Sequence, residues 1–438
     1  MSAAAQAKPV FDARAHFLEG ARAAQAALPE ATGGLSALRA AGFAALETAT
    51  WPTPKTESWK YSRLTKLLDP AFISAPAAAL GGSPAALPEE SLGACVLSAA
   101  GGQVVPQSAL PGGVTLQALS AMDDCPEALL PSGEAFDALN AAMAPEAYVL
   151  AVASGVRVEQ PLLLELAQGA LGSFLRIAVR LGEGSSLTLL ERQSGDDDAF
   201  FSTVCTLTLE AGAQLTHQRI GLAGGEGCWL SQHAVTVGAQ AHYAPLLAQG
   251  GAAFRRNELS IDLRGQGATV AVAGASLTDG AQHLDTQLAM NHCEPQGTST
   301  QRFRALAAGQ SKTTLNGRIH ILPQAQKSDA AFNVRSLLLS RGAELNAKPE
   351  LEIYADDVAC AHGATVGELD ANSVFYLRSR GLTEQAARAA LAYAHLATVI
   401  EAVEEERLVA YLSEAFKGAF DRAFAEAGDA SANGAGAP

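Results

Sequence analysis

No stretch of about 18 apolar residues runs free of charge in this 438-residue chain, so the sequence carries no expected membrane span. Charge itself is scarce. Asp, Glu, Lys and Arg together make up 17% of residues, against a usual share of about a quarter. The 45 acidic and 30 basic residues leave a formal net charge of −15. An acidic surface repels nucleic acid and anionic lipid, which argues against both as partners. The N-terminus from Met1 to Phe17 lacks a compact apolar segment between Lys8, Asp12 and Arg14, so it does not read as a secretory signal, and a cytoplasmic location is expected. The six cysteines, Cys95, Cys125, Cys205, Cys228, Cys293 and Cys360, include no CxxC pair. That spacing indicates neither a disulfide framework nor a self-contained zinc site, and favours reduced thiols buried as small hydrophobes.

Common catalytic signatures are missing as well. There is no Walker A loop; Gly309-Gln310-Ser311-Lys312-Thr313 has the right residue types in the wrong arrangement and reads as a turn. No GxGxxG follows a strand and opens a helix, and no GxSxG elbow is present. The glycines at 224–227 and 250–251 read as chain corners. The sequence offers no basis for calling the protein an enzyme.

What is present is organisation. Hydrophobic residues make up 48% of the chain, ample for a sizeable core. Residues 1–90 read as a helical region; Ser36 to Thr48 has an apolar face with Ser36 as a reasonable N-cap, and Trp51-Pro52-Thr53-Pro54 stops it. The Ala/Pro/Gly/Ser-rich stretch 74–88 reads as a linker, and 91–159 as a mixed connecting region. From about residue 160 to 375 a Gly-containing turn followed by alternating apolar residues recurs. Gly184, Gly212, Gly238 and Gly267 are separated by 28, 26 and 29 residues, with a later echo at Gly342. Strand repeats of that length predict a β-solenoid whose coils stack on one another, with Gly supplying the positive φ of each corner. A two-layer sandwich shows turn signals at the shorter spacing of about 8–12 residues. Beyond Gly381, Thr383 is a good N-cap. Leu408, Leu412, Phe416, Phe420 and Phe424 form a stripe at four-residue spacing on a long helix. The helical C-terminal region is expected over 376–427, with a small, polar tail over 428–438.

Among the nine histidines, His283, His292 and His320 fall in the late solenoid and read as structural residues. In Asn291-His292-Cys293 the adjacent His and Cys face opposite sides of a strand and cannot easily share a metal. Cys360-Ala361-His362 differs, because on an extended chain positions i and i+2 project from one face. A thiolate and an imidazole there suit iron, but two ligands are too few for a cluster, which usually takes four. Such a site has to borrow ligands from another chain. Glu352, Asp356 and Asp357, just upstream, read as solvated or turn-capping carboxylates.

The late region carries a resemblance. Residues 323–330 (Pro-Gln-Ala-Gln-Lys-Ser-Asp-Ala), Ser-Leu-Leu-Leu-Ser at 336–340, Pro349-Glu350-Leu351-Glu352-Ile353, the run from Asp356 to Thr365, and Phe375-Tyr376-Leu377-Arg378-Ser379-Arg380-Gly381 together closely resemble the SufB/SufD family of the SUF iron–sulfur cluster assembly system. Near the other end, Thr56-Glu57-Ser58-Trp59-Lys60-Tyr61-Ser62-Arg63-Leu64 resembles an element typical of the SufD branch, and Gly363 after His362 stands where the SufB branch usually has glutamate. Ser328, Asn333 and Ala361 match the pattern only loosely.

The resemblance implies a mainly β fold with α ends, a right-handed parallel β-helix flanked by helical regions. It implies a scaffold subunit that pairs with SufB through the β-helix and docks the ABC-type ATPase SufC through its C-terminal helical region, from Tyr376 to Ile400. Tyr376, Arg378, Arg380, Gly381 and Leu391 are the docking candidates. It places His362, with Cys360 two residues before it, near the SufB interface as ligands of a nascent cluster. The cluster is transient, and no cofactor is expected to stay with the chain alone. A homodimer in isolation, a SufB-type paralogue and, from another class, a β-helix carbohydrate enzyme are the alternatives.

Overall fold

The computed structural model describes residues 12–53, 55–62, 67, 93–167, 172–194, 200–222, 225, 227–401, 403 and 406–432. The expected linker at 74–88, Arg63 and Leu64 of the N-terminal element, and residues 433–438 lie outside them.

The repeating unit is a pair of strands of about ten residues. Strands that follow one another in sequence fall in different sheets: Phe200–Leu209 belongs to a 9-stranded sheet and Gln214–Gly221 to a 10-stranded one. Each strand pairs in parallel with the strand two places on, as in Cys228↔Phe254 and His242↔Thr269. The result is a flattened parallel β-solenoid, with antiparallel strands among the described residues at its N-terminal end, Cys95–Ala100 with Gln103–Pro106 and Val114–Ala118 with Ala147–Val152, and one isolated antiparallel bridge at Ala252↔His283.

One column of corners holds the coils in register. Gly155, Gly184, Gly212, Gln240, Gly267, Gln296 and Lys327 all have φ between 55° and 73°. Each donates its N–H to a carbonyl of the corner in the next coil, for example Gly184 to Ala211 and Gln240 to Gln266. This corrects the repeat read from glycine alone. Gly238 is not the corner residue; Gln240 takes the left-handed position, and the spacing from Gly212 evens out to one coil. Gly238 is needed for a different reason, since a Cβ there would lie 2.7 Å from the Leu209 carbonyl oxygen.

Where the terminal helices pack on a sheet both of its faces are covered, so neighbouring residues there are buried on opposite sides. Phe201 and Trp229 join the core between the sheets, while their neighbours Phe200 and Cys228 turn outward. There they meet the N-terminal helices and Phe17, Trp51, Trp59 and Phe136. The C-terminal helices Glu384–Ile400 and Glu406–Ala432 cover the opposite face, the outer side of the 10-stranded sheet. Leu408, Leu412, Phe416 and Phe420 of the expected stripe are buried there; the Phe424 side chain lies outside the described set. Thr383 caps its helix as expected, accepting from the Ala386 N–H at 3.1 Å. The N-terminal helix corrects its expectation. It spans Gly33–Thr48, not Ser36–Thr48, and Thr32 precedes it with no side-chain cap bond. Its start is held instead by tertiary contact, the Gly34 N–H donating to the Met122 carbonyl at 2.7 Å.

The N-terminal element 56–62 is a clamp. Trp59 stacks on Phe136 and Phe254, with the Arg256 guanidinium 3.9 Å over its ring. Arg256 donates to the Ser58 carbonyl at 2.9 Å and pairs with Asp285, which also accepts from the Ser62 hydroxyl. Glu57 pairs with Lys348 at 2.5 Å, near the far end of the solenoid.

Candidate functional site

The C-terminal end of the solenoid is open. Strand Glu344–Ile353 ends the 9-stranded sheet and Ala359–Glu368 ends the 10-stranded one, each paired on one side only. Every earlier strand from Phe200 onward contains buried residues; these two contain none. Nothing among the described residues covers them, which leaves a row of backbone donors and acceptors free along each edge.

Cys360 and His362 lie on this last strand. In register they stand opposite Ala330 and Phe332, both buried in the inter-sheet core. The pair therefore shares the inward face, as the i, i+2 spacing predicts, but at a coil with no further coil above it. Cys360 is half-buried and packs against the core, and His362 is exposed. Burial, followed by the charge of Asp329, pushes the Cys360 thiol above its ordinary range, with a backbone hydrogen bond to Ala330 acting the other way. The thiol thus stays protonated near neutrality until a metal or a cationic neighbour arrives. The backbone does not demand glycine at 363, because a Cβ there meets only Asn333 Nδ2 at 3.7 Å. The upstream carboxylates are as read from the sequence: Asp356 and Asp357 are exposed at a turn, and Glu352 pairs with Arg318 at 3.3 Å.

The other histidines named from the sequence are held structurally. His292 is buried with Nε2 2.8 Å from the Ser299 hydroxyl, and burial pushes its pKa down to about 4. His283 packs edge-on against Phe254, and His320 against Tyr354. Of the docking candidates, Tyr376 is 56% exposed on the short helix Ala371–Ser379, beside Phe375 at 71%. Arg380 lies over the Tyr376 ring, Arg378 pairs with Glu384 at 3.2 Å, and Gly381 ends the helix with φ 98°. Leu391 is half-buried on the next helix. With Tyr354 and Val366, the exposed aromatics extend the apolar surface of the open end.

Residues 164–395 match the sequence profile described as SUF system FeS cluster assembly, SufBD core domain. The chain belongs to the SufB/SufD family. The iron–sulfur cluster assembly protein SufD of Escherichia coli is 32% identical over 381 residues, covering 82% of this chain and 86% of that protein. An iron–sulfur cluster assembly SufBD family protein of Synechocystis is 32% identical over 47% of this chain and 45% of its own length. A chloroplastic protein of Arabidopsis thaliana, ABCI7, is 28% identical over 62% of this chain and 60% of its own length. Within the SufB/SufD family the chain is SufD-like, and its place is in SUF iron–sulfur cluster assembly. No helix among the described residues is long and apolar enough to cross a membrane.

Sequence reasoning missed one group of chemically capable residues. Glu191, Cys205, His217 and His233 meet inside the solenoid. The available signal was the coil period: Cys205 and His233 are one repeat apart and directly opposed in register, as are Glu191 and Arg219.

Proposed function

We propose that this protein is the scaffold subunit of a SUF assembly complex that pairs with SufB through the open end of its solenoid and docks SufC through its C-terminal helical region. The observation that carries this reading is the uncovered last coil, where two unpaired strand edges coincide with Cys360 and His362. A SufB solenoid laid against that edge buries the strands and supplies the remaining ligands. Iron and sulfide are the cargo: they assemble between the two chains and leave as a cluster. The chemistry is ligation, with His362 presenting an imidazole nitrogen and Cys360 losing its proton on binding. ATP-driven dimerisation of SufC on the helical ends shifts the shared interface and opens these ligands.

Two experiments test this. His362→Ala should leave the SufB–SufC complex assembled and lower cluster formation in cells by at least about tenfold. Loss of a ligand costs no less than loss of a hydrogen-bond partner behind one, about 10–100-fold in affinity. Normal cluster delivery by this variant removes His362 from the site. For docking, Phe375→Glu combined with Tyr376→Glu should weaken SufC binding by about thirtyfold, the size of one aromatic anchor of about 2 kcal/mol. Titration showing SufC affinity within about twofold of the parent chain places the docking surface elsewhere.

A further inference from the structure

A second constellation lies deep between the sheets, away from the open end. Glu191 projects inward from the 10-stranded sheet, and Cys205 and His233 from directly opposed positions on neighbouring strands of the 9-stranded sheet. Their ligand atoms, one oxygen, one sulfur and one nitrogen, all lie within 4.8 Å of one another. Glu191 is 2% exposed, Cys205 1% and His233 3%. A fourth donor is at hand: His217 Nε2, on a side chain with no exposure, sits 3.0 Å from Glu191 Oε1.

We propose that Glu191, Cys205 and His233, with His217 in reach of the fourth position, form an interior binding site for a borderline divalent cation, Zn²⁺ or Fe²⁺.

The hydrogen bonds among these groups leave His233 Nδ1 unsatisfied. Two imidazole nitrogens, His217 Nε2 and His233 Nε2, converge on the same carboxylate oxygen at 3.0 Å. His233 makes the hydrogen bond. His217 Nε2 reaches that oxygen as well and helps hold the carboxylate in its charged form, while His233 Nδ1 is buried with no hydrogen-bond partner among the described residues. The other nitrogen of His217 is already engaged by the Tyr243 hydroxyl at 3.0 Å, the outer contact that orients a ligating imidazole and leaves its Nε2 lone pair for the ion. The Cys205 thiol makes no hydrogen bond among the described residues. A carboxylate, an imidazole and a thiolate form a mixed donor set suited to Zn²⁺ or Fe²⁺.

Distances and charge both fit. Metal–nitrogen bonds of about 2.0–2.1 Å and metal–sulfur bonds of about 2.3 Å set tetrahedral donors about 3.3–3.8 Å apart, so a contraction of about 1 Å closes the site. The ion binds as Cys205 releases its thiol proton to solvent. The two positive charges are then balanced by one carboxylate and one thiolate, so the ion and its ligands are neutral together, one positive charge above the ion-free group. Arg219 Nε stays 3.2 Å from Glu191 Oε2 and holds the carboxylate from outside. Without an ion, burial and then the Glu191 charge keep the Cys205 thiol well above its ordinary range, with Arg219 opposing. Burial and Arg219 push His233 down to about 4 against the pull of Glu191.

The site is closed to solvent, so the ion has to enter as the chain folds. The test is the isolated full-length chain produced in medium supplemented with Co²⁺, which reports thiolate ligation by a charge-transfer band. The parent chain and Cys360→Ser should both keep about one cobalt through desalting, with the band intact. Cys205→Ser should lose the band and at least about tenfold of the bound cobalt, with its circular dichroism unchanged. A band that survives Cys205→Ser, or a parent chain that retains no cobalt, overturns the proposal. An anomalous difference map of the parent chain grown with Co²⁺ decides the matter even where the variant does not fold: a peak between Glu191, Cys205 and His233 supports the site, and its absence rejects it. Because no partner is present, failure here leaves the SufB and SufC reading untouched.

Discussion

Replacing Asp285 by alanine is expected to lower the stability of the chain by about 3 kcal/mol, read as a shift of the urea midpoint at unchanged slope. Asp285 pairs with Arg256 and accepts from Ser62 and, at 2.6 Å, from Gln287. Arg256 is 2% exposed. Burial disfavours its charge, but Asp285 and Glu258 outweigh that and hold its pKa above the ordinary value. Removing Asp285 leaves a buried guanidinium short of one carboxylate, a loss of about 3–5 kcal/mol when a pair is broken from one side. Glu258, 2.7 Å from Arg256, remains, which puts the expectation at the lower end. The same substitution loosens the clamp that Trp59 and Ser62 make on the solenoid, so protease cleavage near residue 60 should quicken in parallel. A midpoint within about 0.5 kcal/mol of the parent chain means that Glu258 alone satisfies the cation.

Ala364→Pro is expected to weaken association with SufB by about a hundredfold while leaving the isolated chain folded. The Ala359 N–H donates inward to Ser328 at 2.9 Å. Along a strand successive N–H groups alternate in direction, so residue 364 turns its N–H to the free edge. Proline there removes an outward donor and sets its ring in the path of an added strand, without taking a bond from the ladder to Asp329–Leu338. A buried orphan acceptor on the partner plus the ring contact amounts to about 3 kcal/mol, or about a hundredfold in affinity. If calorimetry gives equal affinities for the two chains, the subunits meet by some surface other than this edge.

These two sites show how differently the two halves of the reading were written in the chain. The clamp carries a compact local motif, Glu57-Ser58-Trp59-Lys60-Tyr61-Ser62, visible to inspection, yet its partners Arg256, Asp285 and Lys348 are far along the chain, and nothing local announces them. The pairing edge was legible in outline. The i, i+2 relation of Cys360 and His362 depends only on strand geometry, which is local. That their shared face is the inward one, left uncovered, depends on where the last coil stops.

The sequence by itself determined the solenoid, its helical ends, the family and the side on which Cys360 and His362 fall together, because repeat length, alternation and motif order are properties of neighbouring residues. Only the tertiary structure decided which residue turns each corner and which charges share a buried space. Gln240 takes a left-handed position beside a glycine that does not. Glu191, Cys205, His217 and His233 come together from four strands. Both follow from stacking, in which residues about one coil apart become nearest neighbours, and the register of that stacking is set by the packing of whole coils rather than by any residue alone.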